Sequence, residues 1–133
     1  MKNFNLILFL LILTSCNLNM VDIDQVKMCV FLIDNQCLSD ISVFSPSTKE
    51  IFISCQLHNA PENTNVKFTW YYLGRQKIEI DAVRLNSGDQ AGTLHFQSSL
   101  TRPNNGWPTG AYLVSIQVMG EGTEPTIKKF NVK

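Results

Sequence analysis

Apolar side chains alternate with polar ones along several short segments, and this period of two constrains the fold more than any other feature of the sequence. The alternation is clearest over residues 51–57, 66–72, 94–97 and 112–118. Successive side chains of a β-strand point to opposite faces, so each segment is predicted to be a strand with one buried face. The chain between these segments is rich in Pro, Gly, Asn and Ser, which are typical of turns.

Three further segments complete the predicted set of strands. They are residues 26–33 joined with 41–44 as one broken strand, residues 77–85, and residues 126–133. In the second of these, the apolar positions change from even to odd after Ile80, which predicts a β-bulge or a change of sheet near Ala82. Because no long segment has a helical period, the sequence predicts an all-β fold, a seven-stranded antiparallel β-sandwich.

The amino-terminal residues have a different composition. Lys2 is followed by the apolar run Leu6–Leu13 and then by two small residues before Cys16. A charged start, a short apolar run and a small-residue boundary are typical of a secretory signal peptide. A membrane-spanning helix needs about 20 apolar residues, so this run is too short for a permanent span. Residues 1–15 are therefore predicted to form a signal helix that is cleaved off.

The boundary Leu13-Thr14-Ser15-Cys16 resembles the lipobox of bacterial lipoproteins. The resemblance implies that the Cys16 thiol receives a diacylglyceryl group and that the chain is cut just before it. It also implies that the new amino terminus is acylated with a fatty acid such as palmitate. Several acyl chains on one cysteine give a stable membrane anchor, whereas one chain binds only marginally. The alternative is an ordinary secretory signal with an unrelated cysteine near its end.

The resemblance also implies a location in the bacterial cell envelope. Asn17 follows the cysteine where aspartate commonly marks retention at the inner membrane, so outer-membrane delivery is favoured if the organism is Gram-negative. The polar residues 16–25 are predicted to be a tether between the lipid and a domain at residues 26–133.

That domain resembles the immunoglobulin-like sandwich. Cys55 and Trp70, on consecutive predicted strands, resemble the cysteine of strand B and the buried tryptophan of strand C. Tyr112 resembles the corner tyrosine of strand F. The second cysteine of antibody-type domains is replaced by Val114. The resemblance is therefore to the broad immunoglobulin-like class, without the inter-sheet disulfide.

Three cysteines remain once Cys16 is assigned to the lipid. A secreted location permits oxidation, and three cysteines allow three pairings with one thiol left over. A disulfide between Cys29 and Cys37 is the preferred pairing, because Cys55 lies on an apolar strand face where a free cysteine behaves as a small hydrophobic residue. All three reduced and buried is the alternative.

Charge and motif content exclude several function classes. The chain has 11 basic and 11 acidic side chains, and a neutral chain argues against a nucleic-acid partner. The cysteine and histidine spacings do not resemble those of a zinc site, and no cofactor-binding or catalytic motif occurs. No metal and no cofactor are therefore expected.

Few residues are candidates for catalysis. His58 and His95 are candidate general bases, and Glu79 and Asp81 fall on the same face of a regular strand, as a pair of catalytic carboxylates does. Surface positions without a catalytic role explain all four residues more simply. The protein is predicted not to be an enzyme.

Aromatic residues are the remaining candidates for binding. Trp107 lies in a loop with Arg102 and Asn104, and an exposed Trp beside these side chains is suited to stack on a sugar ring or to anchor a protein. Tyr71 is a second candidate for such a patch. The simpler interpretation, that Trp107 caps the end of the sandwich before Tyr112 enters its strand, is preferred.

Two functional hypotheses follow from the sequence. The preferred one is a lipid-anchored envelope protein whose immunoglobulin-like module binds a protein or glycan partner, or serves as an accessory subunit of an envelope assembly. The alternative is a small cell-envelope hydrolase or a periplasmic enzyme inhibitor. The two differ in structure, because an enzyme needs a cleft with a histidine and a carboxylate, whereas a binding module exposes an apolar or aromatic surface.

Overall fold

The computed structural model describes residues 20–120 and 123–133, and these are all-β. The predicted signal helix at 1–15 and the lipidation residue Cys16 lie outside the described residues. Within the described ranges, no helix has the length and apolar character needed to cross a membrane. The strands are β1 Asp22–Cys29, β2 Val43–Phe44, β3 Glu50–Ala60, β4 Asn65–Leu73, β5 Lys77–Asn86, β6 Gly92–Thr101, β7 Gly110–Val118 and β8 Thr126–Val132.

The strands form two sheets. The smaller sheet has the order β1-β3-β6, and the larger has the order β2-β8-β7-β4-β5. Neighbours are antiparallel except for β2 and β8, which are parallel. The predicted count of seven strands is wrong for this reason: Val43–Phe44 does not continue β1 but crosses to the other sheet and pairs with β8.

The carboxylate of Asp40 contributes to this crossover from one sheet to the other. Asp40 accepts a hydrogen bond of 2.9 Å from the backbone N–H of Met28 at the end of β1. Its second oxygen pairs with the ammonium group of Lys128 on β8. Asp40 therefore links the end of β1 to the opposite sheet. Backbone hydrogen bonds from Ile41 to Met28 and from Asn131 to Ser42 fix the same segment.

The first strand begins earlier than the sequence indicated. Asp22 pairs with His58 of β3, so the segment 22–25, which was assigned to a polar tether at 16–25, belongs to the folded domain. A bulge between Asp24 and Lys27, with Gln25 at a φ of 51°, shifts the register. The bulge places Ile23 and Val26 on the same side although their spacing is odd, which hid the alternation.

The hydrophobic core lies between the two sheets and takes side chains from both. The indole Nε1–H of Trp70 on β4 donates a 3.0 Å hydrogen bond to the Ser98 hydroxyl on β6, across the core. The rings of Tyr112 and Phe130 stack with centroids 4.9 Å apart. The largest fully buried side chains are Trp70, Tyr112, Phe68, Phe130, Met28, Ile51, Ile53, Leu57, Ile116, Val66, Val114 and Val132. The alternating residues of β3, β4 and β7 supply most of these side chains, and β1 and β8 supply the rest.

A bulge in β5 accounts for the change of apolar parity. Trp70 pairs with Asp81 and Tyr71 pairs with Glu79, so Ile80 is the extra residue on β5. The bulge lies within two residues of the position near Ala82 that the sequence indicated. It separates Glu79 and Asp81, which pair with residues on opposite faces of β4, so the expected same-face pair of carboxylates does not form.

Candidate functional site

A disulfide joins Cys29 and Cys37 and closes a small hairpin. Ile33 and Gln36 form an antiparallel bridge across a two-residue turn, in which Asp34 and Asn35 have φ values of 51° and 63°. Asp and Asn tolerate this left-handed conformation better than most residues, so the turn suits its sequence. The pairing is the one that the sequence favoured.

The hairpin lies against the outer face of the smaller sheet. The backbone N–H of Cys37 donates a 2.9 Å hydrogen bond to the hydroxyl of Ser54 on β3. Ser54 is buried although it points away from the core, because the hairpin covers it. The Gln97 side chain of β6 donates to the Asn35 side chain at 3.4 Å. The hairpin thus spans the sheet from β1 to β6.

The other side of the hairpin exposes apolar side chains. Phe31 is 63% exposed and Leu38 is 66% exposed, and Val30 and Ile33 are also open to solvent. Exposed apolar clusters of this kind on small proteins mark interaction surfaces. The period-two pattern does not point to these residues. The loop between Cys29 and Cys37 is rich in apolar residues, and that composition is the feature of the sequence that indicates them.

An open cleft of about 400 Å³ lies where the hairpin turn meets the edges of β5 and β6. His95 lines it, so one of the two histidines does lie in a cleft. The lining residues are Asp34, Asn35, Leu85, Asn86, His95, Phe96 and Gln97. We call this the β5–β6 cleft. Its lining is mostly polar, and Leu85 and Phe96 are the two apolar residues in it.

Trp107 points into the protein, so the candidate aromatic patch lacks its central residue. Its side chain is 4% exposed, and its indole N–H donates a 2.7 Å hydrogen bond to the carbonyl of Thr48. Its ring packs edge-on against Tyr112, with centroids 6.3 Å apart. Burial of the large ring covers the end of the core, which is the preferred interpretation of this residue from the sequence.

The other members of the predicted patch are separated from each other. Arg102 and Asn104 are exposed and line an open polar cleft beside Pro46. Tyr71 lies elsewhere, on the outer face of the larger sheet, where the Lys77 ammonium group is 4.2 Å from the centroid of its ring. The loop 102–109 brings only Arg102 and Asn104 together, because β4 directs Tyr71 away from the core.

A second cleft beside loop 102–109 is wholly apolar. It has a volume of about 170 Å³ and is lined by Tyr72, Ile80, Pro103, Trp107, Pro108 and Tyr112. A cavity of about 150 Å³ holds a benzene molecule, so this cleft matches one apolar side chain. The bulged residue Ile80, which is 43% exposed, forms part of its rim.

His58 lies between two other polar side chains on the outer face of the smaller sheet. Its Nε2 is 2.8 Å from the Asp24 carboxylate, and its Nδ1 is 3.3 Å from the Thr93 hydroxyl. The three residues lie side by side on β1, β3 and β6, and all are at least partly exposed. None of the clefts described here is lined by them.

Cys55 is a buried thiol of the core. It is 2% exposed, and burial raises the pKa of its thiol from 9.0 to about 12. A thiol of this kind is protonated at physiological pH and is a poor nucleophile. Among the described residues, no group of three His, Cys, Asp or Glu side chains is arranged to hold a metal ion.

Comparisons with known proteins give no family for this chain. No protein-family model matches it, and no curated protein matches it. Among solved structures, the chain is similar to the Pseudomonas fluorescens alkylpurine DNA glycosylase AlkC bound to DNA containing an abasic site analog. The two share 15% sequence identity, with a TM-score of 0.49, over 85% of this chain and 30% of that one. A likeness at this level carries no argument about function.

Proposed function

We propose that the protein is a lipid-anchored component of the bacterial cell envelope, whose immunoglobulin-like module binds a protein or glycan partner or serves as an accessory subunit of an envelope assembly. The anchor rests on the lipobox resemblance at Leu13-Thr14-Ser15-Cys16 and on the apolar run before it. The proposal includes no nucleic-acid partner, because the chain carries no excess of positive charge.

Two features of the fold support the immunoglobulin-like assignment. Trp70 lies on β4 in the centre of the core, as the tryptophan of strand C does in that class. The Tyr112 hydroxyl donates to the carbonyl of Pro108, four residues upstream, which is the hydrogen bond of a tyrosine corner. The sequence resemblance points to the same two residues.

The observation that carries the binding proposal is the exposed apolar side of the disulfide hairpin, where Phe31 is 63% and Leu38 is 66% exposed. The clefts at the far end of the domain are a second surface open to a partner. The chain enters at Met20, next to the end of β7 at Val118. The two clefts beside loop 102–109 lie at the opposite end of β7, which at about 3.3 Å per residue is roughly 27 Å away. A domain held at Cys16 by a short linker therefore presents loop 102–109 away from the membrane.

Fatty-acid labelling tests the anchor. Cells that express the full chain are grown with an alkyne analogue of palmitate, and the protein is detected by click chemistry and by its membrane fractionation. We expect label on the natural chain and on a Cys55→Ala control, and none on Cys16→Ser. Equal labelling of the Cys16→Ser variant contradicts the anchor, and so does an unlabelled natural chain.

One observation favours the hydrolase alternative: His58 is placed between an acid and a hydroxyl, as in catalytic triads. The open face of the sheet offers these residues no cleft, and the binding proposal is therefore preferred. Hydrolysis of a nitrophenyl ester by the natural chain tests this point, with His58→Ala and the control His95→Ala. A rate that is lost only in His58→Ala supports the hydrolase, and no rate above background excludes it for esters.

A further inference from the structure

The β5–β6 cleft has the position and size of a ligand site. β5 is the last strand of the larger sheet and β6 is the last strand of the smaller one, so the sandwich is open between them. The volume of about 400 Å³ falls within the range of roughly 300–1,000 Å³ that is typical of small-molecule sites. No proposed role above uses this cleft.

The walls of the cleft are held in place before any ligand arrives. The disulfide and the hydrogen bond from Cys37 to Ser54 fix the hairpin that carries Asp34 and Asn35. On the opposite wall, the Asn86 side chain donates to Asn65 at 2.9 Å and accepts from the N–H of Gly88 at 2.6 Å. Side chains that are already ordered lose less entropy on binding, so these walls favour recognition.

The lining offers hydrogen-bonding groups without a positive charge. Within the described residues, the Asp34 carboxylate and the His95 imidazole make no hydrogen bond, and the Gln97 carbonyl oxygen is also unused. No Lys or Arg lines the cleft, so it does not suit phosphate or another anion. Leu85 is half-buried and supplies an apolar surface to the lining, whereas the Phe96 side chain points into the core and is almost fully buried.

We propose that the β5–β6 cleft binds a neutral carbohydrate, with Asp34, His95 and Gln97 bonding its hydroxyl groups and the half-buried Leu85 contacting the apolar face of the sugar ring. Carboxylates and amides have forked acceptor or donor geometry that matches adjacent hydroxyls. Hydroxyl bonds to an ionised carboxylate are among the stronger ones, so Asp34 is the main contact.

The geometry favours a sugar over an extended peptide. A peptide that added a strand to the smaller sheet would need the free edge of β6. Near the middle of β6, the Gln97 side chain donates a hydrogen bond to Asn35, so the turn of the hairpin lies over this part of the strand. A compact ligand fits beside the turn, and a continuous strand does not.

This inference rests on the proposed binding role and names the ligand class, but it is independent of the anchor. The proposed acylation is at Cys16, which precedes Met20 in the chain. Met20 lines a different cleft, together with Val118, so the anchor does not depend on the residues of the β5–β6 cleft. The loss of one proposal therefore leaves the other open to its own test.

The test is binding of the full chain, purified from membranes in detergent, to an array of neutral and acidic glycans. Titration calorimetry with maltose, lactose and N,N′-diacetylchitobiose then gives affinities. The variant Asp34→Asn keeps the left-handed turn, since Asn tolerates a positive φ, and removes only the charge. We expect it to bind at least fivefold more weakly, and His95→Ala to show a comparable loss.

The matched control is Glu79→Gln, which removes one carboxylate from the far end of β5 and should leave the affinity unchanged. Thermal unfolding of each variant shows that the fold is retained. The proposal is overturned if no neutral glycan binds, if acidic glycans bind in preference, or if Asp34→Asn binds as well as the natural chain. Failure on the array together with labelling of Cys16 would remove the carbohydrate and keep the anchored protein.

Discussion

The loop around Trp107 and the hairpin closed by Cys29 and Cys37 differ in the burial of their aromatic residues. Trp107 is 4% exposed and bonds to the Thr48 carbonyl, whereas Phe31 of the hairpin is 63% exposed. The loop is held from inside by the core. The hairpin is held from outside by a disulfide and by a few hydrogen bonds to the surface of a sheet.

This difference separates a structural element from an element that is free to bind. A buried aromatic ring stabilises the fold through its buried area and its packing, so replacing it with a smaller side chain lowers the stability. An exposed apolar residue contributes little to the fold, and a cross-link can hold it in place without any core around it. The hairpin and the cleft beside it are therefore better binding candidates than Trp107.

The largest expected effect is at Trp107. Trp107→Ala should lower the free energy of unfolding by about 3–5 kcal/mol, because it leaves a cavity and an unpaired carbonyl at Thr48. Phe31→Ala, the matched change on the hairpin, should stay within about 0.5 kcal/mol of the natural chain. Urea unfolding of both variants measures this. An equal loss of unfolding free energy in the two variants would contradict the distinction between a buried structural loop and an exposed binding hairpin.

Removal of the disulfide is expected to have the next largest effect. The double variant Cys29→Ala/Cys37→Ala frees a loop with a sequence separation of eight residues and should cost about 2–3 kcal/mol in the chain-entropy model. Hydrogen exchange should become faster in residues 30–37, while the indole of Trp107 keeps its protection. Faster exchange at Trp107 as well would mean that the hairpin supports the core.

Gly106 tests how closely loop 102–109 packs on Pro46, and Gly88, between β5 and β6, is the control. Gly106 has a φ of 80°, and a Cβ there would lie 3.1 Å from the carbonyl oxygen of Pro46, so Gly106→Ala should cost about 2 kcal/mol. Gly88 has a φ of 62° with nothing within 4 Å, so Gly88→Ala should cost only about 1 kcal/mol. Thermal unfolding compares them, and an equal cost would show that loop 102–109 is not tightly docked on Pro46.

The smallest expected effect concerns pH and the core beneath both regions. Burial raises the pKa of Cys55 from 9.0 to about 12, so the folded protein keeps the proton while the unfolded chain loses it above pH 9. This contribution is complete below the unfolded pKa and declines as the pH rises toward about 12. Stability should fall by about 1.4 kcal/mol between pH 8 and 10.

The Cys55→Ala variant supplies the control for this fall. Other groups titrate in the same window, so the measured quantity is the difference between the pH slopes of the natural chain and the variant. A slope that is the same in both would mean that Cys55 is not buried with the core that contains Trp107.

The alternating sequence predicted the central strands well and failed where the backbone breaks the period. β3, β4, β6 and β7 were found because burial of one sheet face imposes a strict period of two. The bulges at Gln25 and Ile80 shift the phase of the pattern. The first hides the start of β1, and the second puts Glu79 and Asp81 on opposite faces, where a regular strand would put them on one. A bulge is visible in the sequence only as a change of parity.

The candidate sites were harder to predict than the strands. A tryptophan in a loop has no periodic neighbours, so the sequence left the side chain of Trp107 undecided. The β5–β6 cleft depends on contacts such as Asn35 to Gln97, which are 62 residues apart. Such contacts arise from the arrangement of the sheets, and no local pattern encodes them.

The amino terminus of the protein isolated from cell membranes decides whether this domain is held at the envelope. Intact-mass spectrometry with fragmentation is expected to find a chain that lacks residues 1–15 and begins at Cys16, with a diacylglyceryl group on the thiol and an acyl group on the amine. An unmodified Cys16, or a mature chain that begins at another residue, would contradict the proposed anchor.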